Sequence, residues 1–300
     1  MRDLDPAALE AVLPHRGVNL IPDVVTIHAP DLSTSRTLIP AADPRGRMLM
    51  SRQGAAGPYF YEPFLGELLA LTGVPLLHER LSPQGQTAVF SMISRLEMPA
   101  AAPLHEEILG EARITRDRGG FTVFTTSARS GGRTILTAEV MSGAAVLAQM
   151  AGSPVQPLAD RLGEPVDPGL FAWKPAPLRF IDTIIEADPA ARRIVCSYEY
   201  PADHPFVPGH FPELPVMMGV TQWAAVADAG WAARHRFGIT GPVTVSAVIR
   251  RPDGTDVADV RDLVLEPDGD GCRMAGMKRI AFRGLVRPGD GLIIDATLGA

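Results

Sequence analysis

The chain has 300 residues, of which 46% are apolar and 21% charged, and its formal net charge is −6. This composition is typical of a globular protein, and the length favours two domains over one. The acidic balance lacks the basic surface of nucleic-acid-binding proteins, and Cys196 and Cys272 are too few for a disulfide scaffold and lack metal-ligand spacing. No apolar run is long enough to span a membrane, and the charged first residues do not resemble a signal peptide. We therefore expect a cytoplasmic protein that binds neither nucleic acid nor membrane.

The first half of the chain predicts, in order, two strands, an irregular loop, one long helix and further strands. The stretch VNLIPDVVTI (18–27) predicts a strand, and PFLGELLALTG (63–73), which is apolar at helical spacing, predicts the helix. Residues 118–147 carry β-branched and aromatic residues on both sides of a Ser-Gly-Gly turn, which predicts a β-hairpin. An antiparallel sheet wrapped around one buried helix is an α+β architecture.

The second half repeats this order. The stretch LRFIDTIIEA (178–187) resembles the opening strand of the first half, and VTQWAAVADAG (220–230) matches the long helix at an offset of 157 residues. Residues 276–298 resemble residues 91–114 in the same way. The similarity lies in the pattern rather than in residue identity, and it predicts two halves of one kind.

A proline-rich stretch separates the two halves. Residues 153–177 contain six prolines, a composition typical of an extended linker that runs along the surface. The stretch divides the chain into an N-terminal domain, residues 1–152, and a C-terminal domain, residues 178–300. The C-terminal half has no counterpart of the 118–147 hairpin, so we expect an open sheet edge. Either the sequence is cut short or another chain covers that edge.

Three motifs carry a resemblance to a known family. They are PFVPGHFPELPVMMGV (205–220), FRGLVRPGD (282–290) and VLPHRGVNLIPDVV (12–25). With them the chain resembles the bacterial 3-hydroxyacyl-(acyl carrier protein) dehydratases of the hotdog fold. The family's signature is a Gly-His-Phe-Pro turn followed by Pro-Val-Met and a glycine that opens the central helix. The residues that match this signature are His210, Phe211, Pro212, Pro215, Val216, Met217 and Gly219.

The chain departs from the family pattern at four positions. Glu213 stands where the family has glycine, and Met218 stands where it has proline. Ala224, fourteen residues after His210, stands where the family has its catalytic carboxylate. A later polar position of the helix is changed to Asp228. The second half therefore has the histidine of the family without its acid.

The internal repeat predicts where the acid lies. The counterpart of Ala224 in the first half is Glu67. The counterpart of His210 there is Gln53. The resemblance implies a site built across a hotdog dimer, with the histidine from one protomer and the carboxylate from the other. A tandem double hotdog would hold this pseudo-dimer in one chain, with one complete site and one dead site, and it could assemble further into a homo-oligomer.

The resemblance implies the dehydration of 3-hydroxyacyl thioesters, in fatty-acid or polyketide-type synthesis. His210 would remove a proton from C2, because an imidazole has a pKa near neutrality. Glu67 would protonate the leaving hydroxide, because burial in an apolar site raises the pKa of a carboxyl group. A glutamate on a helix that is apolar nearly all round needs such a reason, since unpaired burial is costly.

The same resemblance assigns the substrate contacts. The Val216 carbonyl would orient the His210 ring, and the Gly219 N–H at the start of the central helix would bind the thioester oxygen. Phe211 and Met217 are predicted to contact the substrate, although core packing explains Met217 equally well. No metal and no cofactor are expected, because the substrate brings its own phosphopantetheine arm on an acyl carrier protein or on CoA.

Two other functions stay open. Hydration or isomerisation of enoyl thioesters uses the same site, and a non-catalytic acyl-binding or scaffold subunit would explain two half-degenerate repeats. In the second case His210 only forms hydrogen bonds with backbone groups of a turn, and the Glu67 side chain points away from His210. Catalysis predicts that the imidazole and the carboxylate share one pocket, within about 6–8 Å of each other, so that C2 and C3 fit between them.

Overall fold

The structure is a computed structural model that describes residues 1–146, 149, 154–159 and 163–299. Among these residues the α-helices are α1 (Pro6–Val12), α2 (Glu62–Gly73), α3 (Pro75–Leu81) and α4 (Gly219–Arg236). The strands are β1 (Arg2–Leu4), β2 (Val24–Ala29), β3 (Leu32–Thr37), β4 (Ser51–Gly54), β5 (Gly57–Phe60), β6 (Thr87–Glu97), β7 (Ala102–Pro103), β8 (Ile108–Arg118), β9 (Phe121–Ser130), β10 (Arg133–Ala145), β11 (Glu164–Pro165), β12 (Thr183–Asp188), β13 (Arg193–Glu199), β14 (Val243–Arg250), β15 (Asp256–Asp268), β16 (Gly271–Phe282) and β17 (Gly291–Leu298). In the described part of the chain, no helix combines the length and the hydropathy needed to cross a bilayer.

One antiparallel sheet of 14 strands dominates the fold, in the order β1-β2-β3-β8-β9-β10-β6-β16-β15-β14-β17-β13-β12-β11. The order is symmetrical about the contact between β6 and β16. Outward from that contact, β10, β9, β8, β3 and β2 on one side correspond to β15, β14, β17, β13 and β12 on the other. The strands β4, β5 and β7 form a separate small sheet. The α+β class expected from the sequence is therefore found, with the strands of each half in equivalent positions.

The hairpin that the sequence predicts to be missing from the second half is present at another point of the chain. The strands β14 and β15 occupy the sheet positions that β9 and β10 occupy in the first half. In the sequence, however, they precede β16 and β17 instead of following them. The expectation of an open edge beside these strands is wrong, because a comparison at one fixed offset cannot find a strand pair that has changed its place in chain order.

The predicted hairpin of the first half is formed by β9 and β10, which pair in antiparallel register. Its turn contains Gly131 and Gly132, whose φ angles are +54° and +76°. Two successive residues at positive φ match the twist of the flanking strands and favour glycine. Residue 147, the last of the predicted stretch, lies outside the described residues.

The two long helices lie where the apolar spacing predicts them. Every residue of α2 is buried, and so are residues 220–233 of α4. The helix α2 packs on β3, β8 and β9, and α4 packs on β13, β14, β15 and β17. The helices also contact each other, and a side chain on Gly66 would come within 2.9 Å of the Trp223 indole. A helix that is apolar all round is buried on all sides. Here the sheet covers one side of each helix, and the other helix covers part of the remaining surface.

The described part of the proline-rich stretch is only partly a surface linker. Its residues 153 and 160–162 lie outside the described residues. Beyond them the chain adds the short strand β11 to the sheet and forms a 3-10 turn over Pro168–Phe171. Phe171 and Trp173 are then buried, with 1% and 4% of their surface exposed. The expectation of an extended surface segment is wrong for this last part, because its aromatic residues enter the core.

The linker also buries a charged side chain. The ammonium of Lys174 pairs with the carboxylate of Asp228 on α4, and the two side chains are 0% and 1% exposed. Burial lowers the pKa of Lys174 and raises the pKa of Asp228, while the pairing opposes both shifts. Four aromatic rings lie within about 5–6 Å of the Lys174 nitrogen, those of Tyr61, Phe171, Trp173 and Phe180.

Replacing Lys174 with methionine should destabilise the protein strongly. The variant leaves the Asp228 carboxyl buried without its cation, which typically costs about 3–5 kcal/mol. We expect the free energy of unfolding, measured by urea titration, to fall by that amount. The double variant Lys174→Met/Asp228→Leu should recover much of the loss. The control is Arg80→Ala, which breaks the exposed pair with Asp117 and should cost less than about 1 kcal/mol. A Lys174→Met loss as small as that of the control would contradict this account.

Candidate active site

One cavity is lined by all six residues that the sequence predicts for the site. These residues come from both halves of the chain, since Glu67 lies on α2 and the others lie in the loop before α4 or at its start. Much of the remaining wall is apolar and comes from the end of α2, the residue that follows it and the start of β6, namely Leu71, Val74, Ala88, Val89 and Phe90.

The His210 ring is held in one orientation and one tautomer. Its Nδ1 lies 2.9 Å from the carbonyl oxygen of Val216, and the Val216 N–H donates to the His210 carbonyl at 2.8 Å. Because a carbonyl oxygen can only accept, Nδ1 carries the ring proton and Nε2 keeps a free lone pair. The residue is buried, with 7% of its surface exposed, and it lines the cavity.

The Glu67 carboxyl is brought into the same cavity from the middle of α2. Its side chain is 2% exposed, and its Oε2 has no hydrogen-bond partner in the described part of the chain. A ring nitrogen of His210 and a carboxylate oxygen of Glu67 lie within 4.8 Å of each other. This separation is within the expected limit of about 6–8 Å. Because it is short, a substrate would lie against the pair.

A second histidine, which the sequence analysis did not select, completes the cluster. The Nε2 of His15 lies 3.3 Å from Glu67 Oε1, and the ring centroid of His15 lies 4.9 Å from that of His210. His15 belongs to the stretch VLPHRGVNLIPDVV, which was compared only as an opening strand. The structure instead has it in the loop between α1 and β2. The sequence feature that could have identified His15 was its ionisable side chain, which lies inside a motif that matches the family.

Burial sets the charge state of the three groups. It lowers the pKa of His210 to about 4, with a further lowering from His15 and an opposing effect of Glu67. It also lowers the pKa of His15 to about 3, with a smaller contribution from Arg16. Burial raises the pKa of Glu67, against a lowering by His210. At neutral pH both imidazoles are therefore uncharged, and the carboxyl group is biased toward its protonated form.

Gly219 is the first residue of α4, where backbone N–H groups lack partners within the helix. A side chain there would lie 2.9 Å from the ring of Phe282, another residue of the cavity wall. The absence of a side chain at Gly219 therefore allows the Phe282 ring to close over the start of the helix. Gln222, one turn further on, also lines the cavity, and its buried Oε1 has no partner in the described part of the chain.

The segments predicted to form a dead second site are joined by the linker. The Gln53 N–H donates to the carbonyl oxygen of Trp173 at 2.7 Å. Asp228, one turn after the buried Ala224, pairs with Lys174 and accepts a hydrogen bond from the Phe180 N–H at 2.8 Å. Asp228 is thus occupied by these contacts and does not line the cavity of Glu67 and His210.

The three cavity residues also have the composition of a metal site. Two histidines and a carboxylate are common ligands of divalent metals, and one atom of each lies within 4.8 Å of the others. A metal ion with ligand distances of about 2.1 Å would draw tetrahedral ligands to about 3.4 Å from one another. His15 and Glu67 lie at about this distance, 3.3 Å, which also suits a hydrogen bond, and acid–base chemistry is available to them without a metal.

Comparison with known proteins found similar sequences among dehydratases. The chain is 44% identical over 54 residues to the 3-hydroxyacyl-(acyl-carrier-protein) dehydratase FabZ of Xylella fastidiosa (strain M12), which is 18% of this chain and 34% of the relative. It is 46% identical over 54 residues to FabZ of Xanthomonas campestris pv. campestris (strain B100), covering 18% and 35%. The chain thus matches about a third of the length of these relatives. No protein-family model matches it.

Among solved structures, a dehydratase of the borrelidin and fluvirucin polyketide synthases covers 91% of this chain and 96% of its own, at 13% identity and a TM-score of 0.46. The dehydratase heterocomplex ApeI:P from Xenorhabdus doucetiae covers 48% of this chain and 97% of its own, at 10% identity and a TM-score of 0.39. Likenesses this distant assign no activity.

The sequence match and the fold described above agree with each other. A large antiparallel sheet with few helices and a long buried helix is consistent with the hotdog fold. The resemblance to the hotdog-fold 3-hydroxyacyl dehydratases, predicted from the histidine motif, is confirmed by the FabZ matches.

The depressed histidine pKa values predict an acid-sensitive fold. Below pH 6.5 the unfolded chain protonates His15 and His210, whereas the folded protein does so only near pH 3 and 4. The free energy of unfolding should therefore fall as the pH drops from 6.5 toward 4, by up to about 1.4 kcal/mol per pH unit for each histidine. Glu67 acts in the opposite sense, since its raised pKa stabilises the fold at low pH.

The variant His210→Gln isolates one of these contributions. Urea unfolding between pH 4.5 and 7 should give a shallower loss of stability for His210→Gln than for the unchanged protein, with parallel curves above pH 7. Equal slopes in the acid range would mean that His210 is not buried in its neutral form.

Proposed function

We propose that the chain is a tandem double hotdog that dehydrates 3-hydroxyacyl thioesters to trans-2-enoyl thioesters. Its N-terminal hotdog domain would span residues 1–152 and supply the acid, Glu67. Its C-terminal hotdog domain would span residues 178–300 and supply the base, His210, with residues 153–177 as the link. The symmetrical strand order about β6 and β16 supports two hotdog units in one chain.

The observation that carries the proposal is the convergence of Glu67 and His210 in one cavity. The two residues are distant in sequence and belong to different halves of the chain, yet they line the same cavity. Each half alone lacks one of the two groups, since Gln53 and Ala224 stand at the corresponding positions. A pseudo-dimer in one chain explains why losing one group from each half leaves one complete site.

The elimination uses two proton transfers. The free lone pair of His210 Nε2 takes a proton from C2 of the substrate, and the protonated Glu67 gives its proton to the hydroxyl on C3, which leaves as water. The double bond forms between C2 and C3. The site is then left with an imidazolium and a carboxylate within 4.8 Å, and one proton passed from His210 to Glu67 restores it.

The coupling between the two groups favours this sequence. The negative charge that develops on Glu67 raises the pKa of His210, so the base becomes stronger as the acid delivers its proton. A low pKa in the free protein keeps the imidazole uncharged at neutral pH. The same low pKa would make it a weak base if the acid stayed neutral.

The thioester oxygen gains negative charge as C2 loses its proton. The free N–H of Gly219 at the start of α4 is suited to bind that oxygen, because the helix dipole points its positive end there. Phe211 and Met217 line the cavity beside it and would contact the substrate. The apolar wall from Leu71 to Phe90 would then hold the acyl chain.

The substrate would arrive on phosphopantetheine, attached to an acyl carrier protein or to CoA. We place the reaction in fatty-acid or polyketide-type synthesis in the cytoplasm, with the chain acting as a pseudo-dimer that can form a further homo-oligomer. The same site accelerates the reverse hydration, because one catalyst serves both directions of a reaction.

Replacing either member of the pair should abolish turnover. We expect His210→Asn and Glu67→Gln each to lower kcat/KM for a 3-hydroxyacyl thioester by roughly 10²- to 10⁴-fold, measured by the absorbance of the enoyl product. The matched control is Gln53→Ala, which truncates the exposed counterpart of His210 and should leave kcat/KM unchanged.

Two results would contradict the proposal. Loss of turnover in His210→Asn with full turnover in Glu67→Gln would mean a histidine enzyme without the composite site. No turnover in the unchanged protein with any 3-hydroxyacyl or enoyl thioester would favour a non-catalytic acyl-binding subunit.

The reaction should need no metal ion or cofactor. Dialysis against EDTA should leave kcat within about twofold of its original value, because the mechanism rests on proton transfers between side chains. A loss of activity that Zn²⁺ restores would instead make His15, Glu67 and His210 a metal centre and overturn the acid–base roles.

A further inference from the structure

His15 reaches the acid of the site at one defined atom. Its Nε2 lies 3.3 Å from Oε1 of Glu67, and the two side chains are 8% and 2% exposed. The other carboxyl oxygen, Oε2, is buried and has no partner among the described residues. The two oxygens of Glu67 are therefore not equivalent, because only one of them has a side chain that can hold it.

The backbone around His15 is fixed to the segment that carries the base. His15 and His210 form an isolated antiparallel bridge, and the Arg16 N–H donates to the Gly209 carbonyl at 3.0 Å. The approach is so close that a side chain on Gly209 would lie 2.2 Å from the Arg16 carbonyl oxygen. Asn19 adds a hydrogen bond of 2.7 Å from its amide to the carbonyl of Phe206. The backbone at His15 is thus held against the backbone at His210.

We propose that His15 is a positioning residue, whose Nε2–H holds Glu67 Oε1 and so leaves the acidic proton on Oε2. The inference rests on the proposed function, in which Glu67 protonates the leaving hydroxyl. His15 does not touch the reacting atoms in this account, since it acts through the carboxyl group. It decides which oxygen of that group delivers the proton.

The contact also changes how strong an acid Glu67 is. An N–H donor on Oε1 stabilises the carboxylate that forms when the proton leaves Oε2, so removing His15 should raise the pKa of Glu67. The titratable side chains that face Glu67 across the cavity are His15 and His210; from α4 the cavity receives the uncharged Gln222, and from β6 it receives apolar residues. Arg16 lies beside His15 and binds backbone carbonyls.

Two amide variants of His15 test whether the N–H donor must lie at the position of Nε2 or only be present in the side chain. The amide nitrogen of His15→Gln lies near the position of the imidazole Nε2, whereas that of His15→Asn lies near Nδ1 and falls short of Glu67. We expect His15→Asn to lower kcat by about 10- to 100-fold, the usual effect of losing a hydrogen bond to a charged group. KM should stay within about twofold. His15→Gln should recover most of the kcat.

The pH profile provides a readout that a purely structural role would not move. Glu67 must be protonated to act, so kcat falls as the pH rises through its pKa in the complex. In His15→Asn that basic limb should move to higher pH, and in His15→Gln it should return toward the position found in the unchanged protein. Circular dichroism and thermal unfolding of both variants would show that the fold is retained.

Equal losses of kcat in His15→Gln and His15→Asn would overturn the proposal, and so would a rise in KM alone or a basic limb that does not move. Infrared titration of the Glu67 carboxyl, with Glu67→Gln as the reference, tests the same contact without substrate. If the protein has no dehydratase activity, the proposed function fails, but a higher Glu67 pKa in His15→Asn would still support the contact. An unchanged Glu67 pKa would remove it in either case.

Discussion

The burial of a glutamic acid in the middle of a helix is the constraint on which the rest of the site depends. Every residue of α2 is buried, so the Glu67 carboxyl is shielded from bulk water and its polar contacts come from groups that the fold brings to it. These groups are His15 at 3.3 Å and, within 4.8 Å, His210. Because all three are desolvated, burial favours the uncharged form of each group.

The fold meets this constraint by joining two halves around a shared centre. The strands β6 and β16 pair at the middle of the sheet, and α2 and α4 pack against each other, with the Trp223 indole close to Gly66. The acid on α2 is thereby held opposite the turn that leads into α4. The helix α4 also buries a carboxylate of its own, Asp228. The linker supplies the cation that pairs with it, Lys174.

Much of this arrangement could be predicted from the sequence, because it rests on local pattern. Helical spacing predicted α2 and α4, a turn motif selected His210, and a repeat at constant offset led from Ala224 to Glu67. The role of His15 could not be predicted, because its position in the site depends on backbone pairing between two segments that lie nearly two hundred residues apart. The second hairpin could not be predicted, because β14 and β15 occupy the same sheet positions as β9 and β10 but come earlier in the chain than the repeat implies. The burial of Trp173 and Lys174 could not be predicted, because proline content indicates a stiff backbone but does not show which side chains pack into the core.

The most direct test of the composite site is a crystal structure of the protein with a 3-hydroxyacyl-pantetheine amide, which resembles the substrate but lacks its reactive thioester. The account predicts that C2 lies beside His210 Nε2 and that the 3-hydroxyl lies within about 3 Å of Glu67 Oε2, with the amide oxygen at the Gly219 N–H. A ligand bound outside this cavity would contradict it. So would a hydroxyl group that contacts His15 while Glu67 makes no contact with the ligand.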